Sequence, residues 1–443
     1  MRDVPVRPLR IEALAPVIGA GRVAETSMAL ESARQALGGH TVWTVNSTAT
    51  GGGVAEMLVR ILGYTSGAGI DSPWLVLEGD EPFFRITKRI HHKLHGMPGD
   101  GPLLPGDRRH YERVMAPNAE ALGSRVRPGD IVVLNDPQTV GLAGSLRDCG
   151  AAVVWRNHIG ADTVNEHTDQ GWAFLRPYLG AVDLCVFTRQ EYAPHPLPSP
   201  FVVMPPTIDP LSAKNGDLDP VAGEGILEAC GLGPVPPGAP LVVQVSRWDP
   251  LKDPVGVMDG FLRLEPDRFD AHLALVGPDT AEVADDPEGQ QVFEGCLRRW
   301  RALPEAQRRR IHLVSLSMAD VEENARMVNA IQRRATVVVQ KSLAEGFGLT
   351  VTEAMWKRKP VLASAVGGIQ DQIVHGRQGW LLSDPSDPAE FAAALDRLLR
   401  DRVLAASLAA DARRRVQEQF LDDRQLCEWA QIFERLAGSR RAA

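Results

Sequence analysis

Paired cysteines are missing from this chain. The five present, Cys149, Cys185, Cys230, Cys296 and Cys427, are odd in number and never stand in a CxxC spacing. A disulfide framework and a thiolate zinc site are therefore excluded, and the thiols read as buried groups of a protein in a reducing cytoplasm. An excess of positive charge is missing too. Against 56 acidic residues there are 48 basic ones, for a formal net charge of -8. No global positive field is available to hold a polyanion, so nucleic acid is not an expected partner. Long apolar runs are absent: none approaches the roughly 18 residues of a membrane span. The segment MRDVPVRPLRIEALAPVIGAG breaks its apolar residues with Asp3, Pro5, Arg10 and Glu12. No signal peptide or membrane association is expected. Glycine (41) and proline (33) stay below the composition of low-complexity disorder.

What remains is an ordinary globular composition, 44% hydrophobic and 23% charged, long enough at 443 residues for two or three domains. Short Val, Ile and Leu runs alternate with stretches of helical spacing, the pattern of βαβ units around parallel sheets. Strands are expected near 41–46, 73–77, 130–134, 152–156, 182–187 and 201–204. A second series is expected near 240–245, 271–276, 311–314, 335–340, 360–364 and 379–382. Between them the Pro-rich stretch from Met204 to Gly223 reads as a connection. The expected architecture is α/β, with two Rossmann-like doubly wound domains facing a central cleft: residues 1–210 and residues 211–415, followed by a terminal helix over 416–443. From Asp387 onward only amphipathic helices are expected. Ligands bind beyond the carboxyl ends of parallel strands, so function is sought there.

Four segments at such strand ends carry chemistry. Asn46 closes a strand that runs into Gly51, Gly52 and Gly53 and then a helix, a turn whose bare backbone admits a sugar or an anion, although it matches neither GxGxxG nor GxxxxGK[ST]. Asp136 and His158 follow two successive strands, and the imidazole is a candidate donor to a sugar hydroxyl or phosphate oxygen. Arg247 and Lys252 follow the first strand of the second series. An arginine grips phosphate bidentately and a lysine adds a point charge, which suits a diphosphate. Lys252 is one of only seven lysines in a chain otherwise rich in arginine. The fourth segment runs from Glu345 through Gly346, Phe347, Gly348 and Leu349 to Glu353. There a sugar meets Glu345 and the loop amides, a diphosphate rests on the helix start, and Glu353 reaches the two ribose hydroxyls. The later Gly367-Gly368 pair reads as a turn.

These segments resemble a known family. The pair Glu345 and Glu353, with SRWDPLKD, is similar to the donor site of retaining GT-B glycosyltransferases of family 4. VNSTATGGGVAEML, EGDEPFFRITKRIHHKLHG, VVLNDPQTVGL, WRNHIGADTVNE, WAFLRPYLGAVDLCVFTRQEYAP and VVQKSLAEGFGLTVTEAMWKRKPVLASAVGGIQDQI together resemble the trehalose glycosyltransferring synthases, over about residues 40–435. Two departures lie on the acceptor side: Thr50 replaces an aromatic residue, and Asn157 a cysteine. The resemblance implies transfer of glucose from a nucleoside diphosphate glucose to free glucose, giving α,α-trehalose with retention. It places His158, Arg247, Lys252 and Glu345 at the reacting centre and Gly346, Phe347, Gly348, Leu349 and Glu353 around the donor. Gly52, Gly53, Asn46 and Asp136 fall on the acceptor side. It implies a terminal helix, 416–443, that returns toward the first domain, no cofactor and no metal, and nucleotide sugar and glucose or trehalose as the partners; the sequence itself leaves the oligomeric state open, a homodimer included.

Other readings of the same residues stay open. A retaining trehalose phosphorylase uses inorganic phosphate in place of the nucleotide, and other GT-B enzymes use other acceptors. A silent nucleotide-sugar sensor and a dinucleotide oxidoreductase are the alternatives of different class; the second lacks GxGxxG with a following acidic residue. The Asp217-Leu218-Asp219 carboxylates have metal-site spacing but sit in the Pro-rich connection, and His91, His92 and His95 have no fourth partner in view. Neither group is expected to bind a metal. Base contacts are expected from loops near Gly277 and 315–320.

Overall fold

Strands buried on both faces must be apolar along their whole length, and the central strands here are. In the computed structural model, which describes residues 1–50, 52–265, 270–282 and 287–441, the first sheet consists of β1 (Arg2–Val4), β2 (Val42–Asn46), β3 (Trp74–Val76), β4 (Ile131–Asn135), β5 (Ala152–Asn157), β6 (Leu184–Phe187) and β7 (Phe201–Val203). The strands lie in the order β1-β3-β2-β4-β5-β6-β7. All neighbours are parallel except β1, which pairs antiparallel with β3. The second sheet holds β8 (Leu241–Val245), β9 (His272–Pro278), β10 (Ile311–Leu316), β11 (Val337–Gln340), β12 (Val361–Ser364) and β13 (Trp380–Leu382). It is parallel throughout, in the order β10-β9-β8-β11-β12-β13. The twelve strands expected from sequence are all present, and the added strand is the short polar edge β1. The fold is α/β, two sheets that are parallel apart from the edge strand β1.

The chain divides into two compact units, residues 1–207 with 421–443, and residues 208–420. The first has a core built around Trp43, Phe83, Tyr111, Trp155, Trp172 and Phe187. Its sequence is not continuous, because the last helix, Asp422–Arg441, packs on the helix Ala15–Leu37. Arg22 grips Asp423 there with two hydrogen bonds of 2.7 and 2.8 Å, and Thr207 Oγ1 lies 2.8 Å from Asp422 Oδ1. The second unit is built around Trp248, Phe261, Phe391 and the apolar faces of β8, β9, β11 and β12. The carboxylates at 217 and 219 have structural partners within this unit. Asp219 caps the helix Pro220–Ala229, accepting from Val221 N and Ala222 N, and Asp217 pairs with Arg333 at 3.2 Å. His91 and His95 meet edge to face at the end of the helix Glu81–Leu94, with ring centroids 4.7 Å apart.

Where β9 and β10 run side by side, His272 and His312 stack with centroids 5.2 Å apart, and His272 Nδ1 lies 3.0 Å from His312 Nε2. Burial holds both imidazoles below the ordinary histidine range. His312 is pushed down to about 4, with His272 adding to the shift; for His272, Asp270 opposes burial while Arg310 and Arg334 reinforce it. An unfolded histidine takes up its proton near 6.5, before folded His312 does, so the unfolded chain binds more protons between those values. Stability is then full above about pH 6.5 and falls as pH drops toward 4. Urea midpoints measured from pH 7 to 4.5 are expected to decline in that window, and His312→Gln is expected to flatten the decline. An unchanged slope in the variant would rule out this origin.

Candidate active site

The chemistry of the second unit is assembled by neighbouring strands. After β8 the chain turns through Arg247 and Asp249, whose Oδ1 accepts from Leu251 N at 2.8 Å and so fixes the turn that presents Lys252. Gln244, at the end of β8, steadies the same turn by donating to Lys252 O at 2.9 Å. Beyond β11, which lies beside β8, the chain reaches Glu345. Lys252 Nζ is 2.6 Å from Glu345 Oε2, although the residues are 93 positions apart. Ser342 Oγ, at 3.1 Å, and Gln340 Nε2, at 3.4 Å, donate to the same oxygen. The ammonium and the carboxylate are only 16% and 11% exposed, so their attraction is little screened. Arg247 stays 42% exposed, 3.7 Å from Asp249.

The glycine turn after Glu345 has a conformational reason. Gly348 sits at φ 86° immediately before the helix Leu349–Trp356, a left-handed backbone that side chains resist. Phe347 is buried beneath the turn. Residues the sequence reading took for a separate turn hold this loop from behind: Gly368 N donates to Gly346 O at 3.3 Å, and Gln372 donates to the carbonyls of Phe347 and Gly348. Thr352 Oγ1, one turn into the helix, fixes Gln372 by donating to its Oε1 at 2.7 Å. The loop amides at 346–349 thus stand at a helix start on a braced frame, an arrangement suited to an anion.

Glu353, the residue after Thr352, is almost fully buried. Lys214 Nζ approaches its Oε1 at 3.8 Å, and Lys357, four residues along the helix, is buried among Gln332 Oε1 (2.7 Å) and Asn215 Oδ1 (3.0 Å). Burial pushes the Lys357 ammonium down, and the Glu353 carboxylate pulls the other way. Lys214, Gln244, Gln340, Ser342, Gln372 and Lys357 were not singled out by the sequence reading. Only the scarcity of lysine could have drawn attention to Lys214 and Lys357.

In the first unit, Asn46 ends β2 and turns its amide back onto Thr48 O at 2.8 Å. Gly52 is extended and Gly53 opens the helix Gly53–Gly67; Gly51 lies outside the described residues. Asp136, at φ 60°, follows β4 and accepts from His158 N at 2.8 Å through Oδ1, which also lies 3.1 Å from His158 Nδ1. Arg156 Nε donates to His158 Nε2 at 3.1 Å. A guanidinium only donates, so Nε2 is an acceptor and Nδ1 carries the proton, given to Asp136. Both ring nitrogens are therefore engaged within the protein, which the sequence reading did not foresee. Burial lowers the pKa of His158, and Asp136 opposes that shift while Arg156 adds to it. Asn157, in place of a cysteine, is buried and donates to Ile159 O at 2.7 Å. Among the described residues no three His, Cys, Asp or Glu side chains gather in a metal-holding group, and no helix is long and apolar enough to cross a membrane.

Comparison with known proteins shows the family and the fold. Residues 44–194 match the family described as trehalose synthase, N-terminal domain, and residues 233–415 match glycosyl transferases group 1. A trehalose synthase of Rubrobacter xylanophilus is 37% identical over 406 residues, covering 91% of this chain and 92% of its own. A trehalose phosphorylase of Pleurotus pulmonarius is 25% identical over 409 residues, covering 84% of this chain and 54% of that protein. Among solved structures, a UDP-forming α,α-trehalose-phosphate synthase of Burkholderia vietnamiensis shares the fold, with a TM-score of 0.70 at 15% identity over 90% of this chain and 99% of that one.

Proposed function

The chain belongs to the trehalose synthase family of GT-B glycosyltransferases, and we propose that it moves glucose from a nucleoside diphosphate glucose to free glucose, forming α,α-trehalose with retention. The observation that carries this reading is the Lys252–Glu345 pair, 2.6 Å apart at the edge of a braced glycine turn with Glu353 eight residues beyond Glu345. Lys252 then offers a cation to a departing diphosphate, and the stretch from Glu345 to Glu353 offers backbone amides to its oxygens, a carboxylate to glucose hydroxyls and another to the ribose. Entry of the nucleotide moves Lys252 from Glu345 toward phosphate, where Arg247 joins it.

As the bond from C1 to the diphosphate oxygen breaks, the electron pair leaves with the diphosphate and C1 becomes oxocarbenium-like. The acceptor hydroxyl attacks C1 from the same face and gives its proton to the departing phosphate oxygen. No carboxylate nucleophile is required, and Glu345 acts by binding. The protein's task is to stabilise the separating charges and hold the acceptor in line. Asn46, Gly52, Gly53 and Asp136 hold the acceptor glucose, and His158 meets the transferred one. Arg247 and Lys252 supply the charge that a metal provides in other transferases, so no metal is needed.

The test incubates the protein with ADP-, UDP- or GDP-glucose and free glucose, without added metal, and identifies products by NMR. Glucose-dependent α,α-trehalose from at least one donor is expected. A parallel arm offers trehalose and inorganic phosphate: glucose 1-phosphate there, with no nucleotide-dependent product, would move the reading to a phosphorylase. Donor turnover without trehalose would overturn the acceptor.

A further inference from the structure

Arg156 is an unusual residue to find at the centre of a sheet. It lies on β5, is 1% exposed, and its two terminal nitrogens, Nη1 and Nη2, have no hydrogen-bond partner among the described residues. Arg156 lines a cavity of about 30 Å³ together with residues of the sheet, the helix Gly53–Gly67 and the terminal helix Asp422–Arg441. The lining is mostly apolar, with Met57, Leu58, Trp429 and Phe433 among it. Burial pushes Arg156 down to about 9, partly offset by Asp136; Arg424 and Glu428 on the terminal helix act in opposite directions and pair with one another at 2.6 Å. A charge taken out of water and left with two unpartnered nitrogens destabilises a fold, and apolar residues of similar volume usually do better at such sites. Folding alone gives no reason for an arginine here.

Among the described residues, the hydrogen bond its side chain makes runs from Nε to His158 Nε2. We propose that Arg156 is a positioning residue: by donating to Nε2 it holds His158 as the neutral Nδ1–H tautomer, fixed against Asp136. The consequence for catalysis rests on the reading above, in which His158 meets the transferred glucose. There the reacting carbon becomes cationic. A protonated imidazole would oppose that charge, whereas a neutral ring leaves the Asp136 carboxylate to favour it. Arg156 enforces neutrality twice, by occupying the nitrogen a second proton would need and by placing a positive charge beside it.

The experiment compares wild type with Arg156→Met and Arg156→Lys. Imidazole ¹⁵N spectra of histidine-labelled protein, with His158 assigned by its loss in His158→Gln, report the tautomer whether or not any transfer reaction is found. Wild type is expected to show a protonated Nδ1 and a bare Nε2 at pH 7. In Arg156→Met the His158 signals are expected to average between tautomers and to titrate at higher pH. With trehalose formation as the readout, kcat is expected to fall at least tenfold with KM little changed, and the acid limb of the pH–rate profile is expected to move up by at least about half a unit. The melting temperature should be equal or higher, since the apolar side chain removes a buried charge with two unpartnered nitrogens. Arg156→Lys, which keeps a charged donor, should recover part of the rate and the wild-type acid limb. An Nε2–H tautomer in wild type overturns the proposal. So does a Met variant with unaltered kcat and pH profile, or one that loses activity only in step with a lower melting temperature while its His158 signals stay put.

Discussion

Replacing Glu345 with alanine is expected to abolish measurable glucose transfer, lowering kcat/KM by at least about 10³-fold, while leaving the protein folded. The carboxylate accepts from Lys252, Ser342 and Gln340 at a single oxygen, so it is a preorganised acceptor that the protein has already oriented. Its removal takes away the group that would hold the glucose hydroxyls and leaves the Lys252 ammonium in a position only 16% exposed. Losing one partner of a largely buried charged hydrogen bond costs about 1–3 kcal/mol. That is small enough for a domain whose stability is of order 5–15 kcal/mol to survive. Glu345→Gln separates charge from shape: it keeps an acceptor oxygen but no negative charge, and its rate should fall between those of wild type and the alanine variant. Initial rates across donor concentrations, with circular dichroism to confirm folding, are sufficient. A folded alanine variant with wild-type kcat/KM would remove the donor glucose from this site.

How much of this was open to reading beforehand depends on whether a feature is local. Strand β4 is IVVLN and buried at every position, so its run of apolar residues announces a strand covered on both faces. β1, three residues of which Arg2 and Asp3 are exposed, announces nothing, and it forms only because Trp74–Val76 offers an edge. The glycine turn at 346–348 is equally local, since a left-handed residue before a helix calls for glycine. What holds that turn is not local. The Lys252–Glu345 pair exists because β8 and β11 are neighbours in the sheet, and strand order is invisible in a list of strands. Gln244 and Gln340 each stand in an otherwise apolar run, and their meaning lies in the pairing of two strands. The tautomer of His158 depends on a side chain two residues before it and a carboxylate 22 residues before it, and only geometry says which nitrogen each takes. Asp219 shows the reverse case. Its spacing from Asp217 evoked a metal site, yet the Pro that follows it at the start of a helix marks it as a cap.

The second large effect is expected from a residue with no functional group. Gly368 has φ -65°, a backbone conformation that alanine adopts freely, so Gly368→Ala introduces no conformational strain. The added Cβ would instead lie 2.7 Å from Phe347 Cα and 2.8 Å from Gly346 O, distances at which one of the two segments has to move. Both atoms are main chain of the donor turn, and neither can rotate aside as a side chain would. The turn is also tied to the segment by the Gly368 N to Gly346 O bond and by Gln372, so the displacement passes to the amides at the helix start. Overpacking of this kind costs about 1–3 kcal/mol. Shifting a preorganised binding frame by as little as 1 Å lowers the rate by about 10²-fold. The variant is therefore expected to fold with a lower melting temperature and to lose about two orders of magnitude in kcat/KM, with Glu345 and Lys252 both intact. Gly225→Ala is the control, since nothing stands within 4 Å of a Cβ there and the position lies inside a helix. It should match wild type in rate and gain slightly in stability. Wild-type kcat/KM in Gly368→Ala would mean that the turn tolerates displacement, and that the braced frame behind Glu345 is a feature of folding with no part in holding the donor.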